Sequence, residues 1–510
     1  MKRLRLTAAL ALMAAGAPVR AEWMQASSRH FTIYSDSSPA AITELGRRME
    51  QVDAALRLIS GVEDTPESAA NPVTIYVLPD SSAVERLLGG RGASGFYIGR
   101  ADGAVAFTAR LNFGEGQLGQ QILFHEYAHH FLLAGSHMAF PAWLSEGFAE
   151  FVSTARFDKE RLVLGGVVSH HAGTLFGGDN ALTLPAMLAP RARMTEQQRA
   201  EMYGRGWVLT HYLLTDPDRK ALMDNYLRAV NTGKPPLDAA TEAFGDLKAL
   251  ERTLGRYVGS SRLSAFVIPL KMLPDVAVRT RALTAGERAL IDHRIVSTRG
   301  VNPKTAAPLY ERAARAAAPF PNDPVAQGWL AEMAFDAGRD AEAEAAADRA
   351  LAADPKSAQA LLYKGRVHLK RLQGREKDGE KWAAARAWII RANRLEPNAA
   401  APLSHFHGSF EMEGVKPRRS AVDGLHRAAE LAPQDVALRY RSARQRLADG
   451  EIEEGKRTLR PLAFSAHADP DNPAARLLAL LDGGATGPAA LATLEAEQKA
   501  KAAASSAPAR

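Results

Sequence analysis

His125-Glu126-Tyr127-Ala128-His129 reads H-E-x-x-H, and Trp143-Leu144-Ser145-Glu146-Gly147-Phe148-Ala149-Glu150 follows, with Glu146 17 residues beyond His129. On a helix, positions i and i+4 share one face about 6 Å apart, so His125 and His129 offer two imidazole nitrogens to one ion. Glu126 is turned about 100° from His125. It leans over the same point without ligating, where a base must stand to take a proton from water. With Glu146 as a carboxylate ligand, the set is that of a zinc site with an open fourth position.

The flanking sequence predicts the elements that carry these residues. Residues 117–133 form a helix with Ile122, Leu123, Phe131 and Leu132 on its buried face, ending near Gly135. A short strand, 104–108, precedes it and is expected at the sheet edge beside it. Pro141 fits the first turn of the next helix, which carries Glu146 and Glu150. Upstream come a strand at 30–34, an amphipathic helix at 39–59 with Leu45, Met49, Val52 and Leu56 at helical spacing, and a strand at 72–78. Four glycines within 89–95 read as a flexible loop, and fold-level analogy alone makes 92–97 an expected mobile lip over the cleft. Downstream, 195–214 reads as helix, two shorter helices reach about 258, and 263–269 reads as a returning strand. Strands first and helices after make this part α+β.

Beyond residue 283 the chain becomes Ala-rich and periodic. Pro321, Pro355, Pro397, Pro433 and Pro470 recur at intervals of 34 to 42 residues, and Ala350, Ala392 and Ala428 each stand five before a proline. A charged insert near 374–380 lengthens one unit. From Gly483 the Gly/Ala/Ser/Pro composition predicts a disordered tail.

The N-terminus predicts export. Lys2, Arg3 and Arg5 precede a short apolar stretch, 6–17, and Val19-Arg20-Ala21 gives an A-x-A-like cleavage site. The expected divisions are a signal peptide at 1–21, a catalytic domain at 22–282, helical repeats at 283–482 and a tail at 483–510. The expected location is periplasmic or secreted. The net charge of +7 falls to +3 once the four leader charges are removed, and no dense basic block is interleaved with aromatics, which argues against nucleic-acid binding. No later segment reads as a membrane span. With no cysteine, thiolate ligands, a cysteine nucleophile and disulfides are excluded.

Trp143-Leu144-Ser145-Glu146-Gly147-Phe148-Ala149 resembles the W-L-x-E-G-F-A segment of gluzincin aminopeptidases, whose Glu is the third zinc ligand. The metzincin pattern asks for Gly at 132 and His at 135; Leu132 and Gly135 stand there. The resemblance implies a thermolysin/gluzincin-like α+β domain of the peptidase-MA type, with zinc on His125, His129 and Glu146 and with Glu126 as base. It implies that Glu150 accepts a hydrogen bond from a ligand histidine. Met202-Tyr203-Gly204-Arg205-Gly206-Trp207 resembles the V-Y-E-K-G segment of the same enzymes, which implies Tyr203 as oxyanion donor; His211 is the alternative. His130, His137, His170 and His171 are expected as exposed polar residues. The Gly-Ala-Met-Glu-Asn segment that binds a free amino terminus in those enzymes has no counterpart, so exo- and endopeptidase readings both stand.

The 283–482 region resembles the tetratricopeptide repeat, with Leu330, Ala331, Gly338 and Ala343 at fitting offsets. That implies an all-α solenoid that docks a peptide or protein substrate or a protein partner. Two functions follow as expectations: an exported zinc metallopeptidase, or a repeat-based binding scaffold whose metal site is catalytically silent.

Overall fold

A computed structural model describes residues 22–67, 69–90, 94–110, 118–134, 138–167, 182–189, 194–260, 263–465, 469 and 472–506. The leader, Gly92, Ala93, Gly135, His137, His170 and His171 lie outside these residues.

Strands β1 (Met24–Ser27), β2 (Phe31–Ser35), β3 (Val73–Leu78), β4 (Gly95–Ile98), β5 (Val105–Ala109) and β9 (Arg279–Ala282) form one sheet in the order β4-β5-β3-β2-β1-β9. β2, β3 and β5 run parallel, while β4, β1 and β9 pair antiparallel. A small second sheet joins β6 (Arg156–Phe157), β7 (Arg161–Leu164) and β8 (Phe266–Pro269), the last being the returning strand read from the sequence.

The helices of this half are α1 (Pro39–Ser60), α2 (Ser81–Leu88), α3 (Leu118–Ala134), α4 (Ala142–Ser153), α5 (Leu184–Leu188), α6 (Glu196–Leu214), α7 (Pro217–Asn231), α8 (Pro236–Phe244) and α9 (Leu247–Val258). Their ends follow local chemistry. Ser38 caps the first turn of α1 through Ala41 N, and Gly61, at φ 68°, closes it in the left-handed conformation. Thr195 and Gln198 form a capping box at the start of α6.

The edge strand is β4, not β5. Phe96 of β4 stacks on Phe107 of β5 at 4.8 Å, so Gly95, Phe96 and Tyr97 of the expected lip pair as a strand. Gly95 permits this, because a Cβ there would lie 2.7 Å from Ile122 Cγ2 of α3. Its role is close approach, not freedom.

After the sheet come α10 (Ala285–Arg299), α11 (Pro303–Ala317), α12 (Pro324–Asp336), α13 (Asp340–Ala353), α14 (Ala358–Leu372), α15 (Gly379–Leu395), α16 (Ala400–Glu413), α17 (Arg419–Leu431), α18 (Val436–Ala448), α19 (Ile452–Ala463), α20 (Pro473–Asp482) and α21 (Gly487–Ser506). Consecutive helices pack as pairs. α12, α14, α16, α18 and α20 each begin three residues after one of the five periodic prolines. Ala350, Ala392 and Ala428 are fully buried, and each carbonyl accepts the closing N–H at the end of α13, α15 or α17. The period thus marks where each pair ends and the next begins, and small residues let the helices cross closely.

Two expectations are corrected. The tail expected to be disordered carries α21, whose Ala490 and Leu494 are buried in one cluster with Leu447, Leu477 and Leu481. The i, i+4 apolar pair was hidden inside an alanine background that itself favours helix. The division at 282/283 does not separate two cores. One face of the large sheet packs Phe31, Ile33, Ile75 and Val77 against α1 and α3. The other carries a cross-strand ladder, Tyr34–Tyr76–Phe107, with ring centroids 5.2 and 5.4 Å apart. Leu290 and Ile291 of α10 and Trp329 and Leu330 of α12 cover it. The first helix pairs therefore complete the core of the sheet, which is why β3 is apolar on both faces. Among the described residues, no helix is long and apolar enough to cross a membrane.

Candidate metal centre

Three helices build the site. α3 supplies His125 and His129 one turn apart, α4 supplies Glu146 and Glu150 one turn apart, and α6 supplies Tyr203. α4 packs against both α3 and α6. The α4–α6 crossing is unusually close, and it is made by glycines within the two quoted segments. A Cβ on Gly147 would lie 2.3 Å from Gly206 O, and one on Gly206 would lie 2.5 Å from Trp143 O. Gly147, next to Glu146, and Gly206, about one turn from Tyr203, therefore set how near these side chains come.

His125 Nε2 and His129 Nε2 lie 3.2 Å apart, and Glu146 Oε2 lies 3.7 Å from the first and 3.5 Å from the second. Bonds of about 2.0–2.1 Å in a tetrahedral zinc site place their donors about 3.3 Å apart, so this triangle fits a zinc ion. The outer nitrogens are also engaged. His125 Nδ1 is 3.2 Å from Glu150 Oε1, and His129 Nδ1 is 3.2 Å from Ser145 Oγ. A carboxylate facing Nδ1 holds the proton there and leaves the Nε2 lone pair toward Glu146. Lone pairs and a carboxylate converging at this range call for a cation between them. The charge distribution agrees: burial opposes a charged His129, but Glu146, followed by Glu126 and Glu150, outweighs it and raises its pKa. The side chain of Glu146 is 1% exposed, so the triangle is closed on its α4 side.

The Tyr203 ring stacks on His125 at 6.2 Å, and Glu146 is the carboxylate that acts on its hydroxyl most strongly. Burial, then Glu146, pushes its pKa well above the usual phenol value, so the phenol keeps its proton as a donor. Glu126 lies close enough to His129 and Tyr203 to act on both electrostatically.

His211, the alternative donor, is a core residue: Nδ1 pairs with Tyr257 Oη at 2.8 Å and Nε2 with Gly165 O at 3.0 Å, away from the triangle. His130 is buried rather than exposed, with Nδ1 2.7 Å from Tyr97 Oη, and burial drops its pKa to about 3. Behind α3, Tyr127 donates to Asp53 Oδ1 at 2.6 Å. Asp53 Oδ2 also accepts from Arg57 at 2.7 Å, and Glu50 Oε2 lies 2.8 Å from His30 Nδ1. His30, Glu50 and Asp53 come near enough to hold a metal, but protein donors already engage them. They form an ion-pair network that pins the back of α3 to α1. Sequence reading missed Ser145 and this network. Ser145 was signalled by its place inside the quoted segment; Asp53–Tyr127 joins residues far apart in the chain and left no local signal.

No protein-family model matches the chain, and no curated protein is similar to it. Among solved structures, a thermophilic TPR protein in Thermus thermophilus overlaps 37% of this chain and 94% of its own, at 19% identity and a TM-score of 0.31. The MamA RS-1 ArsTM double mutant overlaps 37% of this chain and 100% of its own, at 15% identity and a TM-score of 0.27. The helix pairs observed directly, set at the proline period, carry the repeat architecture of the C-terminal half.

Proposed function

We propose that the chain is an exported zinc-dependent hydrolase of peptide bonds, with a gluzincin-like site on α3, α4 and α6. The observation that supports it best is the His125–His129–Glu146 triangle, whose edges suit zinc and whose outer nitrogens are both engaged. When bound there, zinc would polarise a substrate carbonyl and acidify water. Glu126 takes the proton of the attacking water and returns it to the leaving amine. Glu150 and Ser145 hold the two imidazoles in the tautomer that leaves Nε2 free to ligate. The Tyr203 hydroxyl, which burial and Glu146 keep protonated, donates to the oxyanion as charge develops. The helix pairs dock the substrate or a partner.

The test is metal analysis of the purified chain, together with cleavage of a broad peptide library by wild type and Glu126→Gln. Zinc in both proteins and cleavage by wild type alone supports the proposal. Absence of zinc from wild type overturns it. A second reading, favoured by the array of helix pairs, is a protein-binding scaffold with a silent metal site. Zinc-loaded wild type that cleaves nothing beyond what Glu126→Gln cleaves supports that reading instead.

A further inference from the structure

Far from the triangle, α17, α18 and α19 surround a cavity of about 290 Å³ lined in part by His426, Arg439, Ser442, Arg446 and Arg457. Arg439 is 3% exposed, and neither Nη1 nor Nη2 meets an acceptor among the described residues. A buried guanidinium is ordinarily paired, because stripping its hydration without compensation is costly. Arg386, the other buried arginine among the described residues, follows that rule, and the half-buried Arg294 also has a carboxylate partner. Arg386 donates to Ser409 Oγ at 2.7 Å and to Glu413, and Arg294 meets Glu332 at 2.6 Å. Arg439 departs from it: burial lowers its pKa to about 10, with no carboxylate opposing the shift.

The carboxylates at the cavity already pair with arginines other than Arg439. Glu454 pairs with Arg457 and Glu430 with Arg427, while Arg446 is held by Glu451 at 2.9 Å. Among the described residues, one positive charge is left without a counter-ion. Two further buried donors line the same space. His426 Nδ1 faces Ser442 Oγ at 2.8 Å; with the serine hydroxyl as donor, Nε2 carries the ring proton, and neither His426 Nε2 nor Arg446 Nε has a partner among the described residues. The volume is about ten times that of one water in the liquid, so a polyatomic ligand fits.

We propose that this cavity is a binding site for a small, singly charged oxyanion such as a carboxylate, taken by the Arg439 fork and steadied by His426 Nε2 and Arg446 Nε. The planar fork matches two oxygens of one group. The single uncompensated charge, with Glu430 and Glu454 lining the same cavity, selects one negative charge over two.

The test uses the full chain, with acetate, chloride and phosphate compared at matched pH and ionic strength. Calorimetry should detect acetate binding to wild type, and acetate should raise its melting midpoint above that in chloride. Arg439→Met should weaken acetate binding by about 10- to 100-fold, as loss of a charged hydrogen-bonding partner does, and should abolish the acetate-dependent rise. It should melt no lower than wild type in chloride, since the apolar side chain removes an unpaired buried charge. His426→Gln, which keeps a neutral donor, should retain binding within about tenfold. Equal responses to acetate in wild type and Arg439→Met, or none in either, overturn the site. Phosphate at a pH where it is dianionic binding wild type as tightly as acetate overturns the charge assignment. If Arg439→Met fails to fold, Arg439→Lys serves in its place: it keeps the charge but loses the fork, and unweakened acetate binding in it overturns the bidentate contact.

Discussion

The closeness of α4 and α6 makes Gly147→Ala the most informative substitution in the site. The added Cβ would lie 2.3 Å from Gly206 O, 2.4 Å from Gly206 C and 2.5 Å from Thr210 Oγ1. Two of these neighbours are backbone, so no rotamer change relieves the clash. Restoring ordinary contact requires the helices to part by about 1 Å, an overpacking that costs about 1–3 kcal/mol. Glu146 is the next residue, and its carboxylate holds the 3.5 and 3.7 Å edges of the triangle. Metal sites tolerate about 0.2 Å in their bonds, so a shift of that size should lower zinc affinity at least about tenfold. Thermal melts with and without zinc, and competition against a chromogenic chelator, read the two effects separately. Gly255→Ala in α9 is the control: nothing lies within 4 Å of its Cβ, and it should be neutral or stabilising by about 0.5–1 kcal/mol. A Gly147→Ala protein that melts with wild type and holds zinc as tightly refutes the claim that this crossing positions the ligand.

Glu150→Gln should weaken zinc binding about 10- to 100-fold without unfolding the chain, because His125 loses the carboxylate at Nδ1; unchanged affinity by chelator competition counts against that role. Tyr203→Phe should reduce kcat about 10²- to 10³-fold on a cleavable peptide while KM holds, whereas a fall in zinc content alone would show that the hydroxyl serves only Glu146. For His30, burial disfavours the charge, but Glu50 and Asp53 outweigh it and raise the pKa above 6.5. Its charged form thus stabilises the fold fully below 6.5, and that contribution fades as pH rises through the raised value. For Glu50, burial is outweighed by His30, and its pKa falls below 4.5, so its contribution is present above 4.5 and fades as pH falls through the lowered value. Denaturant melts should show wild type losing stability above about pH 6.5 more steeply than His30→Gln; parallel curves contradict the pairing.

Much of the site was written locally. Two histidines at i and i+4, and two glutamates at the same offset 21 residues on, each needed only the helical repeat to share a face. The proline period fixed the starts of the helix pairs for a similar reason, since a break in the helix is encoded by the residues at the break. Local spacing does not say which face meets which. The approach of α4 to α6 was decided by Gly147 against Gly206, and that contact brought Tyr203 to Glu146. His211 sits two turns beyond Tyr203 yet packs into the core, while Ser145 turned out to hold His129. β4 took the sheet edge because Gly95 fits beneath Ile122. The second face of the sheet, apolar in the sequence with no visible cover, was closed by α10 and α12 from beyond the expected boundary. Periodicity along a chain records which residues must be buried together. The packing of distant elements decides what they are buried against, because that choice rests on shape and charge meeting across space.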